Sequence, residues 1–557
     1  MIKITSVFSA LMILIGNIFT FFLPKAPEPL TMSELMNIKP AVRQIESSDT
    51  VYAVDLSGFS EDERYSAICL QGIVAKTNPC IYLLFGSVYN EYLSAIEKTG
   101  KEIIRTDKTG AKWSYRSLIA EFYDYISDGG YTLYRYSEYA EGLNTATNFA
   151  SAYGWLPVAE SLKETAEECG LQMKKDLTAE EYDYSFQRRY FNELKDHFTK
   201  GAVVHLKYEK MGLRDFAIQQ GYFCFYTLND NFFLSGNSFM REVLNWSGEN
   251  TAVYGWCEYE KKTVTLLSKT GAHIIASDYS YNCSYLSQIE NDVTYPQKQG
   301  KAHTDPSKHY ATLVFSDGDN CQWLQNGFSE YFSFINNYPD TKVSWTFSPK
   351  LKDMCPSAYD RIKSAANENT SFLCGPSGAG YCNTSLLDSR SLQLFSTETA
   401  SAMLRSGERI ITLLDDYKPV NEGKMKRSFD YFSRFENIDG GILFLDPDRY
   451  TAGKGKVWFS NDKPFASVRL SLWSDEGYEG ATDEWISQQA DILNSYPVDI
   501  SSIEGYSVIC VHAWTMKPEA LNKFISLIAP HVEILSADDF IATMKENIPH
   551  KTAMPMN

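Results

Sequence analysis

Acidic residues gather at recurrent places in this sequence, each directly after a short apolar run. Ser316-Asp317-Gly318-Asp319-Asn320 follows one such run, Asp415-Asp416 another, and Asp446-Pro447-Asp448 a third. His512-Ala513-Trp514 closes a later run, and Gly375-Pro376-Ser377-Gly378-Ala379-Gly380-Tyr381 adds a glycine-rich segment between them. Paired carboxyl groups can cleave a glycosidic bond, one protonated to assist the leaving oxygen and one ionised as nucleophile or base. On that chemistry Asp317 and Asp319 form one half of a catalytic pair and Asp415 the other. Asn320 and His512 would bond sugar hydroxyls, while Trp345, Tyr381 and Trp514 would stack on sugar faces. Ser377 would bond substrate or hold its loop, and Gly378 and Gly380 would let the backbone approach the ligand closely.

Two other readings use the same residues. Gly375-Pro376-Ser377-Gly378-Ala379 nearly matches a nucleophile elbow, and the order Ser377, Asp415 or Asp446, His512 follows that of α/β-hydrolases, although Ala379 replaces the last glycine. A serine esterase is therefore one alternative. A carbohydrate-binding surface protein that does not cleave its glycan is the other. Neither H-x-x-x-H nor H-E-x-x-H occurs among the 8 histidines, so no metal is expected. A calcium loop beginning at Asp317 would need Gly where Gln322 stands. The phosphate-cradling G-x-x-x-x-G-K-[ST] is missing, and no cofactor is expected.

Positioning such residues requires a scaffold whose strands all end on one side. Strand patterns fall at 310–315, 343–347, 371–374, 410–414, 441–445, 467–472, 507–511 and 532–535, and helical patterns separate most of them. Eight β-α units of this size predict a (β/α)8-like barrel over 305–548, with the polar motifs on the carboxyl-terminal rim where barrel enzymes work. An open doubly wound sheet is the alternative. Upstream, strand patterns at 51–56, 81–85, 131–136, 203–206, 223–227, 253–256 and 274–277 alternate with helical ones such as 64–75 and 156–169. The fold class is thus α/β, with one or two N-terminal α/β modules over 40–295 ahead of the barrel. The stretch 295–307, rich in Pro, Gly, Lys, His and Ser, marks the boundary.

The segment Gly375 to Tyr381, the Phe315-Ser316-Asp317-Gly318-Asp319-Asn320 motif and the 345–349 stretch together resemble the GxGYxYP family, which is associated with glycoside hydrolysis. Leu70-Gln71-Gly72-Ile73-Val74 followed by Ile81-Tyr82-Leu83 resembles that family's N-terminal domain. The resemblance implies a link to sugar processing and a carbohydrate ligand. It departs where the second Tyr and the Pro of the family name are Asn383 and Thr384.

Lys plus Arg number 52 against 70 Asp plus Glu, and a net charge of −18 would repel a phosphate backbone, so nucleic acid is not an expected partner. The 36 Tyr, 32 Phe and 10 Trp residues suit amphipathic ligands, whose apolar faces and hydroxyls match ring and polar tip. Residues 4–23 carry no charge and follow Lys3, which reads 1–25 as an export signal or a membrane anchor and places the bulk of the protein outside the cytosol. The 11 cysteines show no C-x-x-C, and Cys374 and Cys382 are either a clip around the glycine segment or two buried thiols.

Overall fold

The computed structural model describes residues 28–39, 42–183, 185–228, 235–289, 295–296, 298–416, 422–474 and 481–550, so the apolar N-terminal run lies outside the described residues. Three small parallel sheets occupy the N-terminal half. β1 (Thr50–Asp55), β2 (Ile81–Leu84) and β3 (Glu102–Ile104) pair in the order β2-β1-β3. β4 (Gly130–Tyr134), β5 (Leu156–Ala159) and β6 (Gln172–Asp176) pair as β5-β4-β6. β7 (Ala202–His205), β8 (Phe223–Phe225), β9 (Ala252–Gly255) and β10 (His273–Ala276) pair as β10-β9-β7-β8. Parallel strands are covered on both faces, and β7, β9 and β10 are accordingly buried along their whole length.

The segment expected to be one helix over 156–169 opens instead as β5. Pro157 lacks an N–H and biases the residue before it toward extended backbone, so the chain first runs beside β4, then passes through a 3-10 turn over Glu160–Leu162 into a short α-helix over Lys163–Glu168. β6, with the sequence QMKKD, is largely exposed, and the half-buried β3 is only three residues long; neither carries an apolar run long enough to announce it.

The second half is the barrel. Its strands are β11 (His309–Phe315), β12 (Val343–Phe347), β13 (Thr370–Cys374), β14 (Ile410–Asp416), β15 (Gly440–Asp446), β16 (Val457–Ser460), β17 (Lys463–Leu472), β18 (Tyr506–Val511) and β19 (Val532–Leu535). A parallel ring runs β12-β13-β14-β15-β17-β18-β11 and closes where β11 pairs with β12. All eight expected strands form, but seven close the ring. β11 changes partner along its length: His309–Thr312 lie against β19, then Val314 and Phe315 against Ser344 and Trp345 of β12. β16 is an added antiparallel strand on β17.

Alternation along these strands sorts side chains to two sides. Tyr310, Val314, Ile442, Phe444, Val508 and Cys510 share one cluster, while Leu313, Phe315, Ile509 and Val511 belong to another with the surrounding helices. Trp345 falls in the helix-facing set with Val343 and Phe347. It is 1% exposed and stacks on Phe315 at 3.9 Å, among Phe328, Tyr331 and Phe334.

The third sheet docks against the barrel rim through its edge strand. Ile274 of β10 exchanges two backbone hydrogen bonds with Tyr381 (2.9 and 2.8 Å), and Ala276 forms a bridge with Asn320. A buried ion pair reinforces the junction: Lys350 binds Glu398, whose other oxygen accepts from Asn250 Nδ2 at 2.6 Å. Against the burial that would raise it, Lys350 and His273 hold the Glu398 carboxyl down at about 2.

Candidate active site

Where β11 ends, Asp317 adopts a left-handed backbone conformation (φ 67°), and the chain turns sharply over the rim. Gly318 allows that turn, because a Cβ there would lie 1.8 Å from the Thr346 carbonyl oxygen of β12. Thr346 pins the loop: its Oγ1 accepts from Gly318 N at 2.8 Å and donates to Phe315 O at 2.8 Å. Asn320 then caps the helix Cys321–Gln325, its side chain accepting from Trp323 N at 3.1 Å. The result aims Asp317 and Asp319 into a cavity of about 360 Å³ at the carboxyl ends of the barrel strands.

The walls of this cavity come from both halves of the chain. The barrel contributes Asn320, Tyr381, Tyr450 and Trp514, and the third sheet contributes Trp256 and Glu260 from the segment after β9. Tyr381 Oη donates to Glu260 Oε1 at 3.1 Å across the junction. Burial, with Asp317 and Glu260 alongside, pushes the Asp319 carboxyl well above the usual carboxylate range. Glu260 keeps a path to solvent through the cleft mouth, yet the protein packed around it raises its carboxyl too; Tyr381's hydrogen bond opposes this, and Asp317 and Asp446 add to it. Burial and the neighbouring acids, Asp317 foremost, keep the Tyr450 phenol a neutral hydroxyl. His512 lies flat on Trp473 at 3.7 Å with its Nδ1 3.0 Å from Thr515 Oγ1. Burial lowers its pKa, with the neighbouring Asp317 opposing and Arg449 adding to the shift.

Of the residues expected at the site, Asp317, Asp319, Asn320, Tyr381 and Trp514 share this cavity. Asp415 lies in an adjoining cavity of about 380 Å³, which shares Glu260, Tyr381, Leu414 and Tyr450 with the first. Both Asp415 oxygens are taken, by Ser385 N at 2.9 Å and Ser385 Oγ at 2.8 Å. Ser377 is wholly buried, its hydroxyl donating to Leu414 O (3.0 Å) and accepting from Leu414 N (2.8 Å). The glycines fit protein rather than the cavity: a Cβ on Gly378 would meet Thr399 at 2.8 Å and one on Gly380 would meet His273 at 2.3 Å. Trp345 is a core residue, because strand alternation turns it toward the helices. Asp446 pairs with Lys261 at 2.8 Å, and the Asp416 side chain is outside the described residues. Cys374 and Cys382 are buried free thiols.

Glu260 and Tyr450 were not expected. Glu260 opens the helix Glu260–Lys269 and reaches the cleft only through the docking of β10. Tyr450 is aimed inward by three successive left-handed residues, Asp448, Arg449 and Tyr450, with no glycine to mark them. The one sequence signal for Glu260 is its place just after a buried parallel strand. Among the described residues, no group of three His, Cys, Asp or Glu side chains is arranged to hold a metal ion.

Three family models match the chain: "GxGYxYP putative glycoside hydrolase C-terminal domain" over 307–545, "GxGYxYP third domain" over 201–288 and "GxGYxYP_N second domain" over 129–194. Curated proteins give no match. Among solved structures, a "putative hydrolase" from Bacteroides thetaiotaomicron superposes with a TM-score of 0.79 at 21% identity, covering 92% of this chain and 97% of that one, a likeness of fold. A "putative polysaccharide deacetylase" from Mycobacterium smegmatis gives a TM-score of 0.29 at 10% identity, covering 48% of this chain and 100% of that one, and carries no argument.

Proposed function

The chain belongs to the GxGYxYP family, and from that premise we propose that it hydrolyses a glycosidic bond in the cleft between its third sheet and its barrel. One observation carries the reading: Asp319, whose carboxyl burial raises, stands with Asp317 and Glu260 in a single aromatic-walled cavity. In this reading Asp319 is the acid, passing its proton to the leaving glycosidic oxygen as the bond to the anomeric carbon breaks. Asp317 is the ionised partner, acting on the anomeric carbon or on the water that attacks it. Glu260 neighbours both and sustains the raised state of Asp319. Asn320 and Tyr450 supply hydrogen bonds to sugar hydroxyls, Trp256 and Trp514 supply ring faces, and His512, which lines neither cavity, stands behind the acids. Asp415, with both oxygens engaged by Ser385, borders the adjoining cavity and shapes it. The uncharged run after Lys3 supports a protein exported to meet its glycan or anchored outside the cytosol.

The test is glycan release across a panel of oligosaccharides by the wild type, Asp319→Asn and Asp317→Asn. General acid-base help is worth about 10²–10⁴ in rate, so each variant loses turnover on that order while glycan binding persists. Wild-type activity declines on the alkaline side above the usual carboxylate range, because the acid must hold its proton and its pKa is raised. Full activity in Asp319→Asn rejects the assignment. The second reading, a carbohydrate-binding protein, is favoured by Asn383 and Thr384 standing where the family name has Tyr and Pro, with Asn383 on the wall of the adjoining cavity. Binding without release from any glycan would select it.

A further inference from the structure

A second groove, of about 490 Å³, opens beside the acid-lined cavity and shares Asn320 and Gln322 with it. We propose that this groove is a distal sugar subsite, so that the ligand is a neutral oligosaccharide chain which continues from the acids toward the first sheet; this rests on the glycan reading of the cleft. Its walls come from three places: the segment after β2, the loop after β10, and the short helix after the Asp317 turn. Phe85 and Tyr281 stack face to face at 4.0 Å and 13°, forming a flat apolar wall. Tyr279 stands beside them, 38% exposed. Lys210 holds its position, donating to the Tyr279 hydroxyl at 2.7 Å and lying 3.9 Å over the ring. Trp323 completes the aromatic set, its Nε1 committed to Glu330 at 3.0 Å and its ring tilted against Trp514 of the first cavity at 4.6 Å.

The polar lining matches the same occupant. Among the described residues no Asp, Glu, Lys or Arg lines this groove in a chain of net charge −18, so its chemistry is that of rings, amides and hydroxyls. Gln322 stands between the two cavities, and its Oε1 is a buried acceptor with no partner among the described residues. The helix Ser87–Glu97 begins on the groove with Gly86 at its start and no side-chain cap, leaving backbone N–H groups to donate. Flat aromatic faces take the C–H faces of sugar rings, while amides and free N–H groups take hydroxyls. A charged polymer would meet only Lys210, which Tyr279 and Asp278 already engage. A monosaccharide glycoside would fill the first cavity and leave the groove empty.

The experiment compares an aryl monoglycoside with neutral linear gluco- and manno-oligosaccharides of two to six residues, using the full chain. Tyr279→Ala removes an exposed ring, and Ser87→Trp fills the groove from its exposed rim. Both variants lower kcat/KM on the longest chains about tenfold and leave the aryl glycoside unchanged. Binding of the six-residue chains to Asp319→Asn, and its weakening when Tyr279→Ala is added, reads the groove separately from catalysis. Binding with that weakening but no release from any substrate sinks the hydrolase reading and keeps the groove. Equal effects on short and long substrates, no effect of either variant, or no oligosaccharide binding would overturn the proposal.

Discussion

The loops that follow β11 and β13 touch the same strand, yet they do opposite things. Each bridges the outer edge of β10, one through Asn320 to Ala276 and the other through Tyr381 to Ile274. In the first loop, the left-handed turn at Asp317 and the cap at Asn320 leave two carboxyls facing a cavity. In the second, neighbouring backbone absorbs nearly everything: Ser377 is held by both polar groups of Leu414, and Gly378 and Gly380 fit against Thr399 and His273. Only Pro376 and Tyr381 of that motif reach the cleft. A polar side chain at a strand end is free for chemistry when no nearby backbone group needs it, because buried polar atoms are nearly always paired.

Gly380→Ala probes the second loop most severely. The added carbon would sit 2.3 Å from the His273 ring, itself buried, so either the loop or β10 must move. A loss of about 2–3 kcal/mol is expected from such overpacking, read from the midpoint of chemical denaturation. An unchanged midpoint would mean that the motif does not bear on this junction.

Ser377→Ala comes next. It strips partners from the buried N–H and C=O of Leu414, costing about 1–2 kcal/mol in stability. Turnover per folded molecule should stay within about threefold of wild type, the mark of a group that touches no reacting atom. Abolished turnover in a folded variant would erase the contrast between the loops and revive the esterase.

Tyr381→Phe has the smallest effect and sharpens the comparison. Its hydroxyl donates to Glu260 and so opposes the rise of that carboxyl; without it Glu260 rises further. A carboxyl raised on folding holds its proton longer in the native state, so stability falls as pH climbs from the unfolded pKa through the raised one. The variant should therefore lose more stability toward neutrality than at acidic pH, the difference being less than about 1 kcal/mol because solvent reaches the carboxylate, seen in denaturation at two pH values. A loss independent of pH would place the role of Tyr381 in packing alone.

Much of the architecture could be read from apolar spacing. Eight of the nine strands in the second half and seven of the ten upstream lie where period and burial put them, since buried parallel strands leave dense apolar runs; the antiparallel β16 was not anticipated. β6 escaped because an exposed strand writes no such run, and β3 because three residues are too few to form one. Around the site, Asp317, Asp319, Asn320, Tyr381 and Trp514 were legible as strand-end residues. Trp345 was misplaced although its strand held the answer: Val343, Trp345 and Phe347 alternate with Ser344 and Thr346, and the larger apolar set faces the helices. Glu260 and Tyr450 depend on a docking contact between distant segments and on backbone angles that side-chain types do not encode.

The bridge between Ile274 and Tyr381 has a consequence for how the chain avoids sticking to itself. β10 is the outer strand of its sheet, and an outer strand with free N–H and C=O groups is a template for another molecule's backbone. The barrel's own loops cover that edge at Ile274 and Ala276, so the segment that completes the cleft also acts as a guard against edge-to-edge aggregation. Cutting the third sheet away from the barrel would both dismantle the cavity and uncover an adhesive strand, which binds solubility and site integrity into one constraint.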